Sequence, residues 1–278
     1  MATLQNAAAR THLLIAPSQL LPLNKSHPNM KFHVLFATIL FASSAFAQEA
    51  FLAWPMPSPL PAAPAGVNSA AYPTPRIEWL QRFNENLKNS RPIASNIELI
   101  FDGDSITDAW QGPGKPVWTQ RYKNLHAFDF GIAGDRTETV LWRLSQGQMN
   151  GIHPKLIVLM IGTNNLGANS AEQIAEGVKA IIADYQKLCP EATILLQAIF
   201  PREENPDHPW RAKIKAINQL ISQLGDGKKV IYIDFSDKFL KPDGTLSREI
   251  MPDFLHPSTR GYQIWADAIQ PTVNQFFP

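Results

Sequence analysis

The 278-residue chain has a single cysteine, Cys189, so no disulfide can form within it. That thiol sits in Lys187-Leu188-Cys189-Pro190, at the end of an expected helix, with no base motif near it in sequence. It reads as a small buried hydrophobe rather than a nucleophile. An excess of basic residues is missing too. Lys and Arg number 25 against 24 Asp and Glu, a formal net charge of +1. The clustered positive surface that binds nucleic acid is therefore not expected. No G-x-x-x-x-G-K-[ST] or G-x-G-x-x-G loop is present to cradle a phosphate. H-E-x-x-H is absent, and one cysteine rules out Cys-x-x-Cys, so neither a metal site nor a cofactor is implied.

Acidic residues are absent from one end. Residues 1–48 contain no Asp or Glu. Within them, Met30-Lys31-Phe32-His33 leads into the apolar run Val34 to Ala42, followed by Ser43-Ser44-Ala45-Phe46-Ala47. A positive start, a short apolar stretch and an Ala-x-Ala site before Gln48 make residues 30–47 a secretory signal peptide, and the expected location is secreted or periplasmic. The apolar run is too short to span a bilayer, so no stable membrane span is expected. A buried N-terminal helix or an uncleaved anchor is the alternative. Residues 1–29 then read as an extension upstream of Met30, since a transit peptide would be richer in arginine. Residues 48–75, with Trp54-Pro55-Met56-Pro57 and Tyr72-Pro73-Thr74-Pro75, read as a proline-rich linker or surface segment.

Over 76–278 strand-like and helix-like patterns alternate. Ile77, Leu80, Phe83 and Leu87 recur at helical spacing. Apolar runs of strand type fall at 97–101, 127–132, 156–161, 193–199 and 230–235. Helical patterns fall between them at about 137–146, 170–188 and 210–224, and a last one covers 258–276. Continuously apolar strands imply burial on both faces, hence a parallel sheet with crossover helices. The expected fold is a three-layer α/β/α domain around a central five-stranded parallel sheet.

Chemistry concentrates at the ends of these strands, where open α/β sheets bind ligands. The first run breaks off in Asp102-Gly103-Asp104-Ser105-Ile106. Gly134 follows the second strand and Asn164 the third. Each has an ordinary turn role when taken singly. Far downstream, Asp253-Phe254-Leu255-His256 adds an acid and a base three residues apart, a spacing that lets both project from one side of a turn. Asp253 can then accept from one imidazole nitrogen while the other faces Ser105. The nucleophile elbow G-x-S-x-G does not fit, because Thr107 stands two residues after the serine.

Gly103-Asp104-Ser105-Ile106, Gly134, Gly162-Thr163-Asn164 and Asp253-x-x-His256 resemble, in order, the four blocks of the SGNH (GDSL-like) hydrolases. The resemblance spans about residues 95–275. Phe130-Gly131-Ile132-Ala133-Gly134-Asp135, Leu141-Trp142-Arg143-Leu144, Gly162-Thr163-Asn164-Asn165 and Pro201-Arg202 are similar to the catalytic α subunits of platelet-activating-factor acetylhydrolase. Ile106 replaces the common Leu after the serine. The resemblance implies an SGNH/flavodoxin-like fold and a serine ester hydrolase. It makes Ser105 the nucleophile, His256 the base and Asp253 its partner. Ser105, Gly134 and Asn164 form the oxyanion hole, and no cofactor is needed. Ile106, Thr163 and Leu255, as neighbours of those residues, are candidates to line the acyl pocket or to be plain core. The substrate is expected to be a short acyl ester, acetylated sugar and phospholipid both remaining open. A lysophospholipase of the same family is a further option. A non-catalytic exported binding module is the rival from another class.

Overall fold

The computed structural model describes residues 62–278. The signal peptide at 30–47, the extension at 1–29 and the first part of the proline-rich stretch lie outside the described residues.

Five strands form one parallel sheet: β1 (Leu99–Gly103), β2 (Ala127–Asp129), β3 (Leu156–Met160), β4 (Thr193–Gln197) and β5 (Val230–Ile233). Their order is β2-β1-β3-β4-β5. Ile100 pairs with Phe128 on one side and Ile157 on the other, and Leu195 pairs with Val158 and Ile231. The order reverses between β1 and β3, and such a switch point opens a crevice at the carboxyl ends of the strands.

Alternation along the strands builds two cores. Ile100, Ile157, Leu159, Ile194 and Leu196 face α4 (Thr137–Ser145), α5 (Ala171–Leu188) and α6 (Pro209–Ser222). Leu99, Phe101, Leu156, Val158 and Leu195 face α3 (Lys115–Arg121) and α7 (Thr259–Phe276). The second core is aromatic: the Phe101 ring lies 4.8–5.6 Å from Tyr122, Trp118 and Trp110. Each such buried side chain contributes about 1.5–3 kcal/mol of transfer free energy. The result is the expected three-layer α/β/α domain.

Local chemistry sets the helix boundaries. Ser170 and Gln173 form a reciprocal cap at the start of α5, and Ser258 caps α7. α1 (Leu80–Ser90) buries Phe83 and Leu87 against Ile132 and Trp142. Ile77, expected on the same stripe, lies instead in a 3₁₀ turn (Ile77–Trp79) and is exposed. β2 stops at Asp129, short of the expected 132, because the Asp129 carboxylate accepts from the Gly131 N–H at 2.9 Å and turns the chain. Phe130 and Ile132 still donate backbone hydrogen bonds to Phe101 and Gly103.

Residues 62–75 lie against α4 and α5. Asn68 Nδ2 donates to the Gln173 carbonyl at 2.9 Å, and Thr137 Oγ1 donates to the Ala70 carbonyl at 2.7 Å. Among the described residues no helix is long and apolar enough to cross a membrane.

Candidate active site

Ser105 opens a four-residue helix, α2 (Ser105–Asp108), directly after β1. Asp104 caps it, with one carboxylate oxygen accepting from the Ile106 N–H at 3.0 Å. Its other oxygen is buried without a partner among the described residues, and burial pushes the carboxyl up to about 7. Gly103 is required by close approach, since a Cβ there would lie 2.3 Å from both the Met160 carbonyl and Thr107 Oγ1.

Ser105 Oγ lies 2.8 Å from His256 Nε2, across 151 residues of chain. His256 Nδ1 lies 2.6 Å from Asp253 Oδ2. The other Asp253 oxygen accepts from the backbone N–H groups of Leu255 at 3.0 Å and His256 at 2.7 Å. Burial works to raise the Asp253 carboxyl, but the hydrogen bonds from His256 outweigh it and hold it below its usual range. The short Asp-x-x-His loop needs a left-handed residue, and Phe254 supplies it at φ 60°. Three tertiary contacts fix that loop relative to the serine. The Phe254 carbonyl accepts from the Glu203 N–H at 2.8 Å. Tyr262, one turn into α7, donates its hydroxyl to the Ile106 carbonyl at 2.5 Å. Thr259 Oγ1 donates to the Pro113 carbonyl at 2.8 Å.

Gly134 follows β2 and Asn164 follows β3, the two strands that neighbour β1 in the sheet. Gly134 has φ 74°, and its carbonyl accepts from Arg76 Nη1. The half-buried Asn164 side chain donates one amide hydrogen to the Asp135 carbonyl at 2.9 Å. Among the described residues its second amide hydrogen has no acceptor. Thr163 is buried, and its hydroxyl accepts from Arg202 Nη1 at 3.3 Å. Arg202 also pairs with Glu203 at 3.3 Å and stacks on the Trp210 ring at 4.4 Å, tying the loop after β3 to the loop after β4.

Of the three pocket candidates, Ile106 is a core residue at 1% exposure, packed with the aromatic cluster rather than lining the rim. Leu255 is half-buried and packs partly on the same core. Cys189 is buried at the end of α5, and burial pushes its thiol up to about 11, which disfavours the thiolate. Among the described residues no cluster of His, Cys, Asp and Glu could hold a metal ion. Sequence reasoning gave no place to Arg76 or to the packing of Arg143. Both act across long sequence separations through flexible side chains, which leave no periodic signal.

A doubly wound parallel sheet with this site at its carboxyl edge, and with the relatives below, defines a carboxylic ester hydrolase. The chain belongs to the GDSL-like lipase/acylhydrolase family, whose profile matches residues 101–264. It is 35% identical over 205 residues to human platelet-activating factor acetylhydrolase IB subunit alpha1, covering 70% of this chain and 85% of that protein. It is 36% identical over 188 residues to the rat alpha2 subunit, covering 66% and 78%. Solved structures with the same fold include a GDSL-like lipase from Bacteroides thetaiotaomicron (TM-score 0.58, 19% identity, 71% of this chain and 97% of that one). A catalytic mutant of an acetylxylan esterase from Geobacillus stearothermophilus has TM-score 0.50 at 19% identity, covering 62% and 91%. At these identities the two structures speak to the fold alone.

Proposed function

We propose that this protein is an exported serine esterase that hydrolyses short-chain, acetyl-type carboxylic esters. The observation that carries the proposal is the unbroken hydrogen-bonded series from Ser105 Oγ to His256 Nε2 at 2.8 Å and from His256 Nδ1 to Asp253 Oδ2 at 2.6 Å. In this reading Asp253 holds the Nδ1–H tautomer, so the Nε2 lone pair accepts the serine proton. Ser105 Oγ bonds to the ester carbon as its proton passes to Nε2. The carbonyl oxygen becomes an oxyanion that accepts from the backbone N–H groups of Ser105 and Gly134 and from the second amide hydrogen of Asn164. His256 returns the proton to the departing alkoxide, which leaves as an alcohol. Water then attacks the acyl-enzyme with His256 again as base, releasing the acid and restoring Ser105.

Acetyl preference is supported by the relatives, which are named as acetylhydrolase subunits. Those names also favour an acetylated phospholipid as substrate. Export, inferred from the three-part pattern at 30–47, favours an acetylated extracellular carbohydrate. The test is hydrolysis of p-nitrophenyl esters of rising length, acetylated sugars and acetylated phospholipid, with and without a serine-directed fluorophosphonate. Activity should be lost on fluorophosphonate treatment and should fall steeply beyond about four acyl carbons, each misfit methylene being worth ~1–3 kcal/mol. A decanoyl or palmitoyl optimum would overturn the acyl assignment, and fluorophosphonate-resistant turnover would overturn the serine mechanism. Mass spectrometry of exported protein should find its N-terminus near Gln48; retention of residues 30–47 would overturn the processing.

A further inference from the structure

Arg143 is 1% exposed on α4, and each nitrogen of its guanidinium donates to a side chain from a different place in the chain. Nε donates to Asp135 Oδ2 at 2.8 Å. Nη2 donates to Asp102 Oδ1 at 2.7 Å, and Nη1 donates to Gln148 Oε1. Asp102 lies near the end of β1, and its carboxylate also accepts from the Gly103 N–H at 2.8 Å, from Gln148 Nε2 at 2.8 Å and from the Tyr185 hydroxyl. Burial works against the arginine charge, but Asp102 and Asp135 outweigh it and hold Arg143 above its ordinary value.

These contacts meet at one function. Asp135 directly follows Gly134, and its carbonyl is the acceptor that holds the Asn164 amide at 2.9 Å. Asp102 is the penultimate residue of the strand that delivers Ser105. One planar fork thus reaches, within three residues or one hydrogen bond, all three of the groups that the esterase reading makes oxyanion donors. Stability is a weak reason to keep such a cluster, because buried ion triads are often no better than well-packed apolar residues of the same volume. Fixed geometry is a stronger one. Oxyanion donors act only when pre-aimed, and a displacement of about 1 Å can cost on the order of 100-fold in rate.

We propose that Arg143 is the positioning residue of the oxyanion hole, holding the β1 end and the Gly134–Asp135 loop in register so that Ser105, Gly134 and Asn164 converge. This rests on the esterase reading. Lysine cannot reproduce the effect, since an ammonium is a point donor without the fork.

The test measures kcat and KM for p-nitrophenyl acetate, per active site counted by fluorophosphonate labelling, together with Tm. The proteins compared are the wild type, R143K, D135N, N164A, R143K/N164A and D135N/N164A. R143K should lower kcat about 10- to 100-fold with KM within about twofold, a misaimed donor costing less than a deleted one. In the N164A background the same substitution should cost clearly less than in the wild type, because one of the three donors it aims is already gone. Unchanged kcat per active site in a destabilised R143K overturns the inference, as does an equal loss in both backgrounds. Should R143K not fold, D135N keeps the shape and the backbone carbonyl and is judged by the same two criteria. A wild type that neither labels nor turns over brings down the esterase reading itself. An active wild type with unaffected variants brings down only this inference.

Discussion

Replacing Gly134 with alanine tests how tightly the loop after β2 is closed. Gly134 sits at φ 74°, where an L-residue costs roughly 1–2 kcal/mol. The new Cβ would stand 2.3 Å from Arg76 Nη1 and 3.2 Å from its Cζ, so the guanidinium must move away. Moving it breaks the hydrogen bond to the Gly134 carbonyl. The Arg76 side chain is 32% exposed, and solvent screening brings that bond below the usual range for a charged donor, to about 1 kcal/mol. Strain and lost bond together give about 2–3 kcal/mol. For a domain of this size that lowers Tm by about 4–12 °C. R76A alone should cost about 1 kcal/mol, because it loses the bond without the strain. The double variant should therefore be more stable than the sum of the singles by about 1 kcal/mol, since the same bond cannot be lost twice. Denaturant unfolding of the four proteins measures this directly. A Tm drop under about 2 °C for G134A, or strictly additive losses, would refute the close approach of Arg76.

S105A should reduce esterase activity to near background with the fold intact. H256A should be nearly as damaging, and the double variant little worse than either single, because such groups act as a unit; multiplicative losses would contradict the assignment. D253N should lower kcat on the order of 10⁴-fold by releasing the wrong imidazole tautomer, read as kcat on an acetyl ester. Because folding lowers the Asp253 carboxyl, its contribution to stability is present above about pH 4 and is lost as pH falls through the folded value. The Tm gap between wild type and D253N should accordingly be full at neutral pH and close in acid. N164A should lower kcat by about two to three orders of magnitude with KM little changed. It should also lose about 1 kcal/mol of stability, because the Asp135 carbonyl loses its donor. A destabilised N164A with undiminished kcat per folded molecule would reduce Asn164 to a loop tie.

Much of this molecule is written in short-range pattern. Apolar runs of strand length, alternating with helical spacing, dictate a parallel α/β domain because each strand must bury both faces. Ser170 and Ser258 mark helix starts that the structure places within one residue of expectation, since a cap acts on the next three residues only. The order of Ser105, Gly134, Asn164 and Asp253-x-x-His256 is likewise visible along the chain, as is the pairing of Asp253 with His256 three residues away. Other features depend on which remote groups the fold brings into contact. Ile106 is a neighbour of the serine in sequence, yet its side chain belongs to the aromatic core because the turn after β1 points it inward. Ile77 carries a helical spacing but lies in the turn before α1, where Arg76 is held on Gly134. The 151-residue separation of Ser105 and His256 closes only when α7 docks through Tyr262 on α2, and the meeting of Asp102, Asp135 and Arg143 exists only once β1, the loop after β2 and α4 are assembled. The difference is physical: period and capping act over three or four residues, whereas a buried charge or a close carbonyl finds its partner only through the packing of the whole sheet.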